Sequence, residues 1–257
     1  IIKKYILLIF IFNSKHNMNQ NKLREEINSF QKLWNGGYRT GYSEKRGQKR
    51  LENYLRDNLV GNNLLEIGSG GGQWTKFIYE LNIFQSIQCV DVLSAEHNSF
   101  WEYMGDESKK KVKYKQNLDF SLDHIENNSI DFVFSYDVFC HISQSGVEAY
   151  LKSLNKKCKP GSKLLIMYAD PAKYINSEPE NRNHLIQYLP EKKLIYKFSN
   201  NKLIKDALKD SNGEPFPGRW YWVGIKNFLN LAETHNFKIL EKDLNIDYTN
   251  PITLLRK

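Results

Sequence analysis

Cysteine is scarce. The 257 residues hold three, Cys89, Cys140 and Cys158, widely separated and without a CxxC pair or a His/Cys cluster at metal-ligand spacing. Neither a disulfide framework nor a metal site is expected, and the setting should be reduced and cytoplasmic. Cys140 reads either as a small apolar filler or as a reactive thiol. Long apolar runs are equally rare. The one at the start, IIKKYILLIFIF, has about a dozen residues against the roughly 20 that a membrane span needs, and no small-residue cleavage site follows it. The first methionine is Met18, and a helical pattern starts just after it. Translation is expected to begin there, with residues 1–17 an apolar extension outside the native chain.

What is present suffices for a globular protein. Hydrophobic residues make up 40% and aromatics 13%, enough to bury a core, and the length is near the upper limit for a single one. One large domain with an insertion is expected. The formal charge is +8, but Lys3, Lys4 and Lys15 lie in the first 17 residues beside no acid, leaving +5 for the rest. Lys109, Lys110, Lys111, Lys113 and Lys115 cluster ahead of and within an expected strand, and read as a solvated face or as a phosphate-binding patch.

Residues 18–60 read as N-terminal helices with a lid segment. Leu23, Ile27, Phe30, Leu33 and Trp34 recur at helical spacing, and a second helix is expected over 44–58. The link between them, WNGGYRTGY, can lie across a pocket or cover the core edge with Tyr38 and Tyr42. From residue 61 to 257 short β-rich runs alternate with helix-length segments, which predicts an α/β fold with a mainly parallel sheet. Strands are expected at NLLEI, SIQCVDV, KVKYKQ, SIDFVFSY and KLLIMYAD, and helices beginning near Gln73, Ala95 and Ser143. KPGSK should form a turn. The rhythm is lost over 171–218, a polar, lysine-rich stretch carrying Pro179, Pro190, Pro215 and Pro217 and read as a substrate-side insertion. It returns with a helix over 223–236 and a closing strand pair, FKILEKDL and YTNPITLL.

The segment NLLEIGSGGGQWTKF is a buried strand, a glycine-rich turn and a helix start. Its glycines let a ligand approach backbone amides closely. A dinucleotide fingerprint would need its third glycine where Gln73 stands, and the Gly-Lys-Ser/Thr of a phosphate-cradling loop is missing. Asp91, 23 positions after Gly68, ends the next expected strand, where a carboxylate can accept both hydroxyls of a ribose.

This constellation resembles class I methyltransferases, whose first motif is an acid, an apolar residue and GxGxG: here Glu66, Ile67, Gly68, Ser69, Gly70, Gly71 and Gly72. The resemblance covers about residues 51–170 well and the last forty more loosely. It implies a Rossmann-like, doubly wound, mostly parallel seven-stranded sheet of order 3-2-1-4-5-7-6 with helices on both faces, and S-adenosylmethionine as cofactor. The implied cofactor residues are Glu66, Gly68, Ser69, Gly70, Gly72, Trp74, Asp91, Val92, Leu118, Asp119 and Ser135. Asn117, Leu118 and Asp119 flank the adenine, and Ser135, Tyr136 and Asp137 face the site of methyl transfer. EIGSGGGQWT and NPITLLRK resemble bacterial methyltransferases encoded with polysaccharide-biosynthesis genes, which implies a saccharide hydroxyl or another small molecule as acceptor.

Transfer to an alcohol needs an aligned nucleophile and removal of a proton. His141, just past the fourth strand, is the candidate base, since histidine ordinarily titrates near neutrality; packing beneath the cofactor is its alternative role. Asp137 would orient it or position the acceptor, or, with an acid from the insertion, hold a divalent metal, although no ligand cluster demands one. His97, His124, His184 and His235 have no acidic partner at fixed spacing. The fourth strand ends in SYDV, not in the Asn/Asp-Pro-Pro-aromatic motif used on base amino groups; no Pro-Cys pair occurs, and the paired glutamates typical of arginine methylation are not apparent. Nucleic acid is therefore disfavoured as a partner. The aromatic run RWYWV, residues 219–223, reads as a wall for a sugar ring or as core anchoring for the last helix. The competing functions are a methyltransferase of nucleic acid or protein, and a cofactor-binding module without turnover.

Overall fold

The computed structural model describes residues 47–177, 221 and 223–257. Residues 1–46, including the expected first helix and the WNGGYRTGY link, lie outside the described residues, as does most of the 171–218 insertion.

A short helix α1 (Gln48–Asn58) precedes five strands interleaved with three helices. These are β1 (Asn63–Ile67), α2 (Gln73–Glu80), β2 (Ser86–Asp91), α3 (Phe100–Met104), β3 (Val112–Gln116), β4 (Ile130–Ser135), α4 (Gln144–Lys157) and β5 (Cys158–Met167). Then follow α5 (Pro171–Asn176), α6 (Ile225–Thr234), β6 (Lys238–Glu241) and β7 (Ile252–Arg256). The sheet order is β3-β2-β1-β4-β5-β7-β6. β1 to β5 are parallel to their neighbours, and β7 runs antiparallel between β5 and β6. The expected α/β architecture and strand order are those observed.

Strand alternation sorts the apolar residues into two cores. Leu64, Cys89, Phe132, Phe134, Leu165 and Met167 pack with Leu51 and Leu55 of α1, Trp74 and Ile78 of α2, and Phe100 and Met104 of α3. Their neighbours Leu65, Ile67, Val90, Val133, Leu164 and Ile166 pack with Val147, Leu151 and Leu154 of α4 and Phe228 and Ala232 of α6. Because side chains alternate across a strand, Glu66 faces the α2 side with Leu64. The edge strand β3 buries Val112 and leaves Lys113 and Lys115 exposed; on the opposite edge Lys238 and Glu241 of β6 are exposed.

Three boundaries differ from expectation. The helix expected at Ala95 begins at Phe100, because residues 94–99 are consumed by turns: Ser94 Oγ accepts the His97 N–H at 3.1 Å, and Ser99 sits at φ 48°. KPGSK is no turn but part of β5, where the pairing jumps from Ile130 with Cys158 to Phe132 with Lys163. Gly161 at φ 85° absorbs the surplus length as a bulge. The helix over 44–58 is described from Gln48, after a left-handed Gly47.

Candidate active site

The strand order reverses between β1 and β4, and ligands of open α/β sheets bind outside the carboxyl ends of the strands at such a point. The glycine loop lies there. Gly68 leaves β1 at φ 76° and its N–H donates to Val90 O at 2.7 Å; Gly72 at φ 87° starts α2 with no side-chain cap. A side chain at Gly68 would place its Cβ 2.0 Å from Val138 Cγ2. The absence of one is what lets the loop after β4 pack directly against the loop after β1.

Asp91 ends β2 beside this loop. Its Oδ2 accepts the Gly70 N–H and its Oδ1 the Leu93 N–H, both at 2.9 Å. Burial raises its pKa, and the N–H donors of Leu93 and Gly70 and the Asn98 side chain oppose the rise. A carboxylate at this strand tip is the kind of acceptor that a vicinal diol requires. Asn117 closes the same corner: its N–H donates to Asp91 O at 2.7 Å, and its buried side-chain Nδ2 has no hydrogen-bond partner among the described residues. Val92 is partly buried, Leu118 is exposed, and the exposed Asp119 folds back on itself, accepting the Ser121 N–H and hydroxyl.

Glu66 stands below the loop rather than across it. Its carboxylate, 2% exposed, accepts the Thr75 hydroxyl at 2.6 Å and the Cys89 thiol at 3.8 Å. Burial pushes its pKa up to about 7, against the opposing pull of those two donors. It ties the first turn of α2 to β1. Ser135 is likewise a support, buried and donating to Ile67 O at 3.0 Å. Ser69 is buried within the loop, and Trp74 packs edgewise on Phe134 and Tyr136. The Tyr136 hydroxyl donates to the buried Asp247 at 2.8 Å.

Past β4 the chain turns sharply. Asp137 is left-handed at φ 62°, and residues Phe139–His141 form a 3₁₀ turn closed by the His141 N–H on Val138 O at 2.8 Å. The turn brings the Asp137 carboxylate, the Cys140 thiol and the His141 imidazole within 4.8 Å of one another. Asp137 and His141 are thus brought together, with Cys140 beside them. That the three form one cluster of metal-ligating groups was not foreseen; the signal was the spacing D-x-x-C-H, legible only once the turn type is known. His97 and His124 are exposed elsewhere, His235 lies 3.8 Å from Glu148 at the end of α6, and His184 falls outside the described residues.

The insertion leaves and rejoins the domain at this edge. Asp170, buried after β5, accepts the Lys173 N–H at 2.6 Å on Oδ1 and the Ile225 N–H at 2.8 Å on Oδ2, capping α5 and α6 with one carboxylate. The Tyr221 N–H donates to Cys140 O at 2.7 Å. Tyr221 and Val223 are buried, which favours core anchoring for that part of RWYWV. Among the lysines, Lys109 pairs with Asp106 and Lys110 with Glu107, each at 2.6 Å, and Lys111 bonds Asn82. The cluster is largely answered by its own surroundings.

A glycine turn at the switch point of a doubly wound sheet, with a carboxylate at the tip of the second strand, defines a nucleoside-binding α/β protein. More narrowly, the chain belongs to the methyltransferase domain family, whose model matches residues 39–241. None of the curated proteins matches it. Among solved structures, a protein of Pyrococcus horikoshii superposes with a TM-score of 0.56 at 15% identity, covering 88% of this chain and 96% of that one. An S-adenosylmethionine-dependent methyltransferase from Mesorhizobium loti gives 0.55 at 12%, over 83% and 99%. The 1,6-didemethyltoxoflavin N1-methyltransferase of Burkholderia thailandensis gives 0.55 at 12%, over 91% and 87%. At these identities the likeness is one of fold.

Proposed function

We propose that the chain transfers the methyl group of S-adenosylmethionine to a hydroxyl of a saccharide or another small molecule. The observation that carries this reading is the Asp91 carboxylate held by the Gly70 N–H at the mouth of the glycine loop, with the Asp137–His141 turn packed on the same loop through Val138. Asp91 takes the ribose diol, the Asn117 side chain faces the adenosine corner, and the turns at Gly68, Gly70 and Gly72 accommodate the amino-acid end. Ser69, Trp74, Val92, Leu118 and Asp119 complete the cofactor surroundings, while Glu66 and Ser135 shape the loop from beneath.

The cofactor supplies an electrophilic methyl on a sulfonium. The chain must align an acceptor oxygen with it and accept a proton. His141 and Asp137, gathered within 4.8 Å by the turn after β4, are the groups we assign to these tasks. The Burkholderia enzyme, solved with 1,6-didemethyltoxoflavin and S-adenosylhomocysteine, supports a small-molecule acceptor. The local pairing of Lys109 with Asp106 and Lys110 with Glu107 supports reading that part of the lysine cluster as a solvated face. No helix among the described residues is long and apolar enough to cross a membrane.

Calorimetric titration with S-adenosylmethionine and with NAD, on the wild type and on Asp91→Ala and Gly70→Arg, tests the cofactor assignment. Binding of S-adenosylmethionine that both variants abolish is expected, followed by methyl transfer to a member of a sugar panel. Preference for NAD, or binding undiminished in both variants, overturns the reading.

A further inference from the structure

We propose that Asp137, Cys140 and His141 form a site for a zinc-class divalent ion that binds and acidifies the acceptor hydroxyl. The second half of this statement rests on the function proposed above; the first does not.

The geometry is built by the backbone. In an extended strand Cys140 would point to the face opposite Asp137 and His141, and Asp137 and His141 would lie four residues apart. The left-handed Asp137 and the 3₁₀ turn over Phe139–His141 gather them on one side, with all three ligand atoms within 4.8 Å. The Cys140 Sγ to Asp137 Oδ1 distance is 3.5 Å. Zinc bond lengths of about 2.0–2.3 Å in a tetrahedron put neighbouring ligands about 3.5 Å apart, so one edge of the polyhedron already has its length and the rest must close by about 1 Å. The turn is fixed from two directions, by the Tyr221 N–H on Cys140 O and by Val138 against Gly68. Cys140 is fully buried and Asp137 partly exposed, so an acceptor would reach the ion on the Asp137 side.

The donor set selects the ion. Thiolate, imidazole and carboxylate together suit zinc and its soft or borderline neighbours, while magnesium and calcium take oxygen ligands. Three protein donors leave a fourth position open, as in catalytic zinc sites. An acceptor hydroxyl bound there loses its proton to solvent at a lower pH than when free. The oxygen lone pair then attacks the methyl carbon, the carbon–sulfur bond breaks, and its electron pair stays on sulfur. The products are the methyl ether, S-adenosylhomocysteine and one proton. In this arrangement His141 serves as a ligand, and the ion takes over the acidification otherwise assigned to the imidazole.

The test uses the full chain without a histidine tag, stripped with a chelator. Zinc is titrated in competition with a chromogenic chelator, and cobalt(II) is added as a spectroscopic probe. One ion per chain is expected, with a thiolate-to-cobalt charge-transfer band and the intense ligand-field bands of four-coordinate cobalt. Cys140→Ser should abolish the charge-transfer band and weaken zinc by more than the roughly 10–100-fold typical of losing an outer-shell partner. Asp137→Asn, a residue that tolerates left-handed backbone, should also weaken zinc while leaving the thiolate band. Calorimetry with S-adenosylmethionine checks that both variants remain folded. Absence of stoichiometric zinc, or a charge-transfer band that survives Cys140→Ser, overturns the site. Zinc bound by a chain that binds no S-adenosylmethionine upholds the site and overturns its role toward an acceptor.

Discussion

Replacing Glu66 by glutamine should make the protein more stable, and by an amount that depends on pH. In the unfolded chain a glutamate ionises near 4.5, whereas burial pushes the folded Glu66 to about 7. Between those values the folded state holds a proton that the unfolded state has released, so wild-type stability falls as pH rises through this window. The separation of about 2.5 units at about 1.4 kcal/mol each gives a penalty of about 3 kcal/mol, absent below pH 4.5 and complete above pH 7. A glutamine in its place carries no such penalty and can still accept the Thr75 hydroxyl. Urea denaturation of wild type and Glu66→Gln at several pH values, without cofactor, should show the variant's advantage growing by about 1.4 kcal/mol per pH unit and levelling off near 3 kcal/mol. A constant offset between the two matters little. A difference that does not vary with pH, or one that grows as pH falls, would show that Glu66 is not held as a reluctant anion.

Two further substitutions probe the site's frame. Gly68→Ala meets Val138 at 2.0 Å and forces a side chain onto φ 76°; combining a left-handed penalty of about 1–2 kcal/mol with overpacking of about 1–3 kcal/mol, a loss of about 3 kcal/mol is expected in denaturation. Adding Val138→Ala should recover only the overpacking share, and full recovery would contradict the backbone argument. Asp170→Ala removes a helix cap worth about 1 kcal/mol and the acceptor of a second helix's first N–H worth about 1–3 kcal/mol. Its urea midpoint should drop accordingly, and a loss below about 1 kcal/mol would mean that the two helix starts hold without this carboxylate.

The fold and the cofactor half of the site were legible because their signals are local. GSGGG admits left-handed turns, which Gly68, Gly70 and Gly72 adopt, and Asp91 follows it at the distance that one helix and one strand impose. The central runs β1, β4 and β5 are buried on both faces, so their apolar content sufficed to find them. What escaped depends on contacts distant in sequence. Asp170 and Asp247 looked like ordinary acids, yet one grips residues on either side of the insertion and the other receives the hydroxyl of Tyr136 from 111 positions away. The turn that unites Asp137, Cys140 and His141 depends on a positive φ at an aspartate, for which the sequence carries only a weak preference. KPGSK has the composition of a turn, but pairing with β4 on one side holds it in the sheet as a bulge.

An open sheet ends in two rows of backbone groups that can accept another strand, and a protein present in many copies must keep those rows from finding each other. Here β3 presents Lys113 and Lys115 along one border, with Lys238 and Glu241 on the other. A second copy laid against β3 would bring like charges side by side at the spacing of neighbouring strands, where their repulsion opposes the new ladder. Lys113 and Lys115 are thus placed where their charge would disfavour edge-to-edge pairing of two copies along β3.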